Sequence, residues 1–280
     1  MRLGRVLTRD GEVWLARIED EAEIAVLISR ESAHPAADAL REALAGGVHL
    51  AGAGTEVPRD EVTLLAPVIR PSKILAIGLN YFDHAAETGA TLPSKPLVFS
   101  KAPSSIVGPR DAIEFSASQS AEVDYEAELA VVIGRRAHGE IEDPLSHVFG
   151  YTVCNDVTAR DAQRGDGQWV RGKSFDSFCP LGPWVVTRDE LPDVQSCRLG
   201  TTIDGQSLQD GSTSDMIFPV EALIRYIARY ITLEPGDVVS TGTPPGVGFA
   251  RTPPRFLADG EHVTCWVEGI GELTNTVQIR

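Results

Sequence analysis

Short apolar runs broken by Gly, Pro and Asp-Gly turns recur along most of the chain, and a 3.6-residue period is clearest in one stretch. Leu3 to Leu7 and Val13 to Ile18 flank Asp10-Gly11, which supplies the positive φ angles of a tight hairpin, and Ile24 to Ile28 adds a strand. Ala36 to Ala45 reads as a short helix with Ala37, Leu40 and Leu44 on one face, stopped by Gly46-Gly47. Further strands are expected at Lys73–Gly78, Pro96–Ser100, Phe149–Asp156, Leu181–Val186, His262–Val267 and Leu273–Ile279. Asp204-Gly205 marks a second hairpin between Leu199–Ile203 and Gln206–Leu208, and Asp143–Val148 reads as a helical turn. Phe218 to Tyr230 is the clear helix, with Val220, Leu223, Ile224 and Ile227 forming its apolar stripe.

One segment departs from simple alternation. Val123-Asp-Tyr-Glu-Ala-Glu-Leu-Ala-Val-Val-Ile-Gly134 runs from an acidic cluster into an apolar, β-branched strand that must lie in a core. Alternation puts Glu126 and Glu128 on one face and Tyr125, Ala127 and Leu129 on the other. Two such carboxylates repel unless a cation or basic group lies between them. A solvated strand face, or an edge protected by charge, accounts for the same pattern.

The prolines of Pro67–Ser72 divide the chain into a small N-terminal unit, residues 1–68, and a larger unit, residues 69–280. The fold expected is α+β and β-rich. Apolar and charged fractions of 42% and 23% are those of an ordinary globular protein. The net charge of -15 disfavours nucleic acid and anionic membrane as partners, but not small anionic substrates that respond to local charge. Four scattered cysteines, Cys154, Cys179, Cys197 and Cys265, suit buried thiols better than a zinc knuckle or a disulfide framework. No apolar run approaches the ~20 residues of a membrane span, and a cytoplasmic protein is expected.

Candidate chemistry lies in the larger unit. His84 and Glu87 are three residues apart, so on a helix they share a face, and a carboxylate beside an imidazole orients a general base. A solvent-facing helical turn accounts for the pair equally. Gly89–Pro93 reads as a mobile connection that would let this helix act as a lid. Asp156 ends a strand with Arg160 and Gln163 at helical spacing beyond it. Lys173, between Gly172 and Ser174, is either a partly desolvated proton donor or oxyanion stabiliser, or a surface lysine in an irregular loop. The Leu233–Gly248 loop lacks the P-loop and Gly-x-Gly-x-x-Gly patterns; its amides and the Thr243 hydroxyl suit a substrate carboxylate, or the loop is a structural turn. His34 and His49 read as structural or exposed. Nucleophile-elbow, His-Glu-x-x-His and EF-hand patterns are absent. Three carboxylates without His or Cys favour Mg²⁺, Mn²⁺ or Ca²⁺ over zinc.

Asn80-Tyr-x-Asp-His-x-x-Glu87, Glu126-x-Glu128, Asp156-Val-Thr-Ala-Arg-Asp-x-Gln163, Gly172-Lys-Ser-Phe-Asp176 and Pro235-Gly-Asp-x-x-x-Thr-Gly-Thr-Pro-x-Gly-Val-Gly248 together resemble the fumarylacetoacetate hydrolase family. The likeness covers about Ile74 to Ile279. It implies a mixed β-sandwich roll, a homodimer, and Mg²⁺ or Mn²⁺ held by Glu126, Glu128 and Asp156. It also implies a lid dyad at His84 and Glu87, a catalytic lysine at Lys173, and a substrate pocket lined by Arg160, Gln163 and Thr243. The founding hydrolase's additional upstream aspartate ligand has no counterpart here, which points to the three-carboxylate subgroup. That subgroup includes acylpyruvate and diketo sugar-acid hydrolases, oxaloacetate decarboxylases and isomerases.

The reaction expected first is hydrolysis of a C–C bond in a 2,4-dioxo acid by way of a metal-stabilised enolate, with His84 and Glu87 activating water. Oxaloacetate decarboxylation and 2-hydroxydienoate isomerisation use the same site. A non-catalytic, metal-stabilised scaffold is the remaining alternative, in which EDTA would lower stability without removing any turnover.

Overall fold

The computed structural model describes residues 1–19, 22–32, 38–47, 50 and 52–280. Its first segment contains β1 (Arg2–Thr8), β2 (Val13–Glu19), β3 (Ile24–Arg30), α1 (Ala39–Glu42), β4 (Thr55–Pro58) and β5 (Val62–Leu65). There follow β6 (Ile74–Gly78), α2 (Phe82–Glu87), β7 (Leu97–Lys101), β8 (Ile106–Val107), β9 (Ala112–Phe115), β10 (Val123–Asp124) and β11 (Ala127–Ile133). Next come β12 (Val148–Asn155), β13 (Thr158–Ala159), α3 (Arg160–Asp166), β14 (Cys179–Thr187), β15 (Arg198–Ile203) and β16 (Gln206–Ser212). The chain ends with α4 (Val220–Tyr230), β17 (Val238–Ser240), β18 (His262–Val267) and β19 (Gly271–Ile279).

The β-rich α+β class and the sandwich roll expected from the sequence are what the chain forms. One long sheet runs β4-β3-β2-β1-β14-β12-β11-β17-β6-β7, with β5 also on β1 and β8 on β14, and a second runs β16-β15-β18-β19-β9. The second packs across β11, β12 and β14. Both Asp-Gly hairpins form, with Gly11 at φ 84 and Asp204 and Gly205 at φ 48 and 81. The junction at 68/69 lies between β5 and β6. The pairing of Leu3 with Val185 carries the long sheet across it.

Strand β11 sits inside the sheet, antiparallel to β12 on one side and β17 on the other, and all its residues are buried. Its alternation feeds two cores. Leu129, Val131 and Ile133 join the core with Leu199, Cys265 and Leu273, while Ala130 and Val132 join Leu3, Leu40 and Ile74 on the other face. Covering both faces explains why the run has no polar positions after Glu128. Each large aliphatic side chain so buried contributes about 2 kcal/mol. A charged sheet edge is therefore not the explanation of Glu126 and Glu128, since pairing continues through Glu128 to Ala127, opposite Asn155.

Helix α4 begins after Pro219 and buries Val220, Leu223, Ile224 and Ile227 as its period requires. The expected 36–45 helix is shorter. Within the described residues it is α-helical only over Ala39–Glu42, capped by Asp38 accepting from the Arg41 amide, then widens over Ala43–Gly47 with Gly46 at φ 89. Ala36, Ala37, His34 and His49 lie outside the described residues. Strands β4, β5, β8 and β9 escaped sequence reading because they are two to four residues long and pair with distant partners. All four cysteines are free and buried. Among the described residues no helix is long and apolar enough to cross a membrane.

Candidate active site

Antiparallel pairing of β11 with β12 sets Glu128 opposite Cys154, and the Asp156 amide donates to the Glu126 carbonyl at 2.9 Å. Three separate sequence positions thereby converge. Carboxylate oxygens of Glu126, Glu128 and Asp156 lie within 4.8 Å of one another, and all three residues are buried. Lys173 Nζ donates to Glu126 Oε2 at 2.6 Å and Asp156 Oδ2 at 2.5 Å, while Lys101 Nζ sits 2.6 Å from Asp156 Oδ1. Arg160 bridges Asp124 and Glu126.

Four buried carboxylates, those of Asp124, Glu126, Glu128 and Asp156, thus face three cations, Arg160, Lys173 and Lys101. Glu128 is the one left with neutral partners, the Ser240 hydroxyl at 2.5 Å and the Gly242 amide at 2.9 Å. Burial, then the charges of Asp156 and Glu126, push its carboxyl well above the ordinary range. Burial also acts to raise Glu126, but Arg160, Lys173 and His84 outweigh it and hold that carboxyl below its usual value. A buried cluster of hard oxygens whose charges balance only while Glu128 keeps a proton fits a divalent cation of the Mg²⁺, Mn²⁺ or Ca²⁺ type taking that proton's place.

Lys173 is buried, not a surface lysine, and its ammonium lies 5.2 Å from the centre of the Phe99 ring. Burial alone would lower its pKa; Asp156 and Glu126 raise it instead. It is a fixed cation rather than a base.

Helix α2 is seated by Asn80, whose side chain donates to the Phe218 and Thr241 carbonyls and accepts from the Phe218 amide. That seating turns His84 inward, where it is buried, with Nδ1 2.7 Å from Glu87 Oε1. The other Glu87 oxygen accepts from the Gly246 amide at 2.9 Å. The pair is therefore a held dyad rather than a solvated helical turn.

Of the two readings of the glycine loop, substrate cradle or structural turn, the second accounts for its amides. Its Gly242, Gly246 and Gly248 amides donate to Glu128, Glu87 and Asp124. Its Thr243 hydroxyl donates to the Ala127 carbonyl and accepts from Gln209. The loop binds the protein's own carboxylates and so fixes the site from below. Gly246 adopts φ +103, and an added Cβ would lie 2.2 Å from the Leu208 carbonyl oxygen. Gly246→Ala is expected to destabilise the fold by about 2 kcal/mol or more and to release Glu87, reading as a lower Tm together with a lower kcat.

One cavity of about 280 Å³ is lined by all three carboxylates, His84, Lys173, Arg160, Gln163 and Thr243, so the predicted site residues other than Glu87 meet at its wall. Glu87 stands behind His84. Sequence reading missed Asp124, which takes Arg160 Nε at 2.8 Å and the Gly248 and Phe249 amides, although it stands in the same acidic cluster. It also missed Lys101, the last residue of β7, whose ammonium also donates to the Lys173 carbonyl. A lysine ending an apolar strand was the available signal.

The family model described as fumarylacetoacetate (FAA) hydrolase C-terminal matches residues 73–278. The mitochondrial oxaloacetate tautomerase FAHD2A of Homo sapiens is 48% identical over 224 residues, 79% of this chain and 71% of the relative. The solved fumarylacetoacetate hydrolase of the psychrophile Exiguobacterium antarcticum shares 39% identity at a TM-score of 0.88, covering 100% of both chains. The 5-carboxymethyl-2-hydroxymuconate delta-isomerase of Mycobacterium smegmatis shares 38% at a TM-score of 0.81, again over 100% of each.

Proposed function

The chain belongs to the fumarylacetoacetate hydrolase family, enzymes of small organic acids, and on that premise we propose that it interconverts the keto and enol forms of an oxaloacetate-type 2-oxo acid. What carries the reading is a proton acceptor and a fixed cation sharing one cavity with the carboxylate triad: His84, held by Glu87, and Lys173. The likeness to an oxaloacetate tautomerase favours proton transfer over the hydrolysis that the sequence placed first.

A Mg²⁺ or Mn²⁺ ion held by Glu126, Glu128 and Asp156 would supply Lewis acidity toward the 2-oxo oxygen. Since Nδ1 is committed to Glu87, Nε2 is the nitrogen of His84 left to take the C3 proton. Glu87 then stabilises the imidazolium. Lys173 keeps its proton and places positive charge beside the oxygen that becomes negative. Return of the proton to that oxygen gives the enol, and its return to C3 gives the ketone.

Hydrolysis of a 2,4-dioxo acid is the second reading, with the same His84 nitrogen taking a proton from water. The dyad and the likeness to the Exiguobacterium hydrolase support it. Decarboxylation would give the dyad a smaller task, returning a proton to C3 of the enolate left when CO₂ departs. In the presence of Mg²⁺ the protein is expected to accelerate ketonisation of enol-oxaloacetate, followed by ultraviolet absorbance. His84→Gln is expected to lower that rate by about 10² to 10⁴. Pyruvate and a free acid from acetylpyruvate, identified by mass, with no effect on the enol would put hydrolysis first. The homodimer implied by the family resemblance belongs to the same proposal and is tested by light scattering.

A further inference from the structure

Four basic residues line the cavity: His84, Arg160, Arg164 and Lys173. Three of them are already committed. Lys173 is shared between Glu126 and Asp156, and His84 is bound to Glu87. Arg160 gives Nε to Asp124, Nη2 to Glu126 and Nη1 to Gln163, and its guanidinium carbon lies 4.3 Å from the centre of the Phe249 ring. A buried guanidinium shared between two carboxylates in this way holds the site together, so its charge is largely balanced before a ligand arrives.

Arg164 is also paired, but at the surface. It follows Arg160 by four residues on α3 and so shares its face of the helix. Its side chain is 57% exposed, and its carboxylate partner through Nη2 is Glu122, itself 31% exposed. An ion pair this open costs under about 1 kcal/mol to exchange. Beside it, Gln163 accepts from Arg160 at Oε1, which leaves its NH₂ end to donate. The cavity thus has a buried carboxylate end and an exposed end where an exchangeable guanidinium stands next to an amide donor. A planar guanidinium is matched to a carboxylate, and a chain of net charge -15 needs local positive charge to admit a dianion.

We propose that Arg164 selects substrates bearing a second carboxylate, so that the site takes dicarboxylic 2-oxo acids in preference to monocarboxylic ones. This rests on the 2-oxo acid reading above. The substrate's 2-oxo acid head occupies the buried end, and its distal carboxylate takes Arg164 from Glu122, with Gln163 as a further donor.

Two unreactive ligands separate the ends of the cavity. N-methyloxamate and N-oxalylglycine share an oxamate head and differ in the distal carboxylate that only the second carries. Isothermal titration of the Mg²⁺-loaded protein is expected to show N-oxalylglycine binding about tenfold tighter. Arg164→Gln is expected to abolish that preference while leaving N-methyloxamate affinity unchanged. Glu122→Gln, which keeps Arg164 and removes its competitor, is expected to hold or strengthen the preference. Equal affinity of the unaltered protein for both ligands would overturn the role of Arg164 and leave the 2-oxo acid reading standing. A preference that survives Arg164→Gln, or is lost equally in Glu122→Gln, would overturn it too. Binding of neither ligand would overturn both.

Discussion

Lys173→Met is expected to lower turnover by about two to three orders of magnitude and to destabilise the metal-free protein by about 3–5 kcal/mol. Methionine has nearly the length of lysine, so the loss is of charge rather than volume. In the unaltered chain the ammonium satisfies Glu126 Oε2 and Asp156 Oδ2 inside the protein. Without it, two buried carboxylates face each other with only Arg160 and Lys101 to balance them. The two effects separate on adding Mg²⁺. A cation at the carboxylates restores much of the lost charge balance, so Tm should recover, whereas the charge beside the reacting oxygen stays missing and turnover should not. Thermal melts with and without Mg²⁺, alongside kcat, provide the check. A variant as stable and as active as the parent would show that Lys173 is not the site's internal cation.

The second large effect concerns pH. Glu128 keeps neutral partners, and burial with Asp156 and Glu126 raises its carboxyl well above the ordinary range. A raised carboxyl pKa means that the native metal-free protein holds a proton which the unfolded chain has already lost. Its contribution to stability is therefore complete below the ordinary carboxylate pKa and falls as pH rises toward the raised value. Cation binding displaces the same proton, so affinity should climb by up to about tenfold per pH unit over that window. Consequently the gain in Tm produced by Mg²⁺ should grow as pH rises through that window from the ordinary carboxylate range. In Glu128→Gln, which fixes the neutral form, that pH dependence should vanish. A gain in Tm that is flat across pH in the unaltered protein would contradict the protonation assigned to Glu128.

Local pattern singled out the candidate residues: the acidic cluster before an apolar strand marked Glu126 and Glu128, the end of the next long strand marked Asp156, and helical spacing paired His84 with Glu87. A charged strand face and a solvent-facing turn fitted those patterns too, and the family resemblance was what joined them into one site. Pairing between β11 and β12 then did what a strand order can do and no single segment reveals, setting Asp156 beside Glu126. Lys101 was not legible as a partner of Asp156, since 55 residues separate them and only the fold brings them together. For the glycine loop the sequence left two readings open, and the structural one accounts for its amides: they meet Glu128, Glu87 and Asp124, because buried carboxylates need donors whether or not a ligand is bound. The fold followed the same division. Long alternating or apolar strands and α4 announced themselves, whereas β4 and β9 exist through pairing with β3 and β19 and carry little pattern of their own.

The most direct test of the site is metal binding by Glu128→Gln. The substitution is isosteric with the protonated side chain, and Ser240 and Gly242 can still bond it, so the metal-free fold and its Tm should be unchanged. Titration with Mn²⁺ or Mg²⁺ should find one ion per chain in the unaltered protein and an affinity lower by at least about a hundredfold in the variant, with turnover lost in parallel. Undiminished metal affinity and turnover in Glu128→Gln would contradict the assignment of Glu126, Glu128 and Asp156 as the cation site on which the proposed chemistry depends.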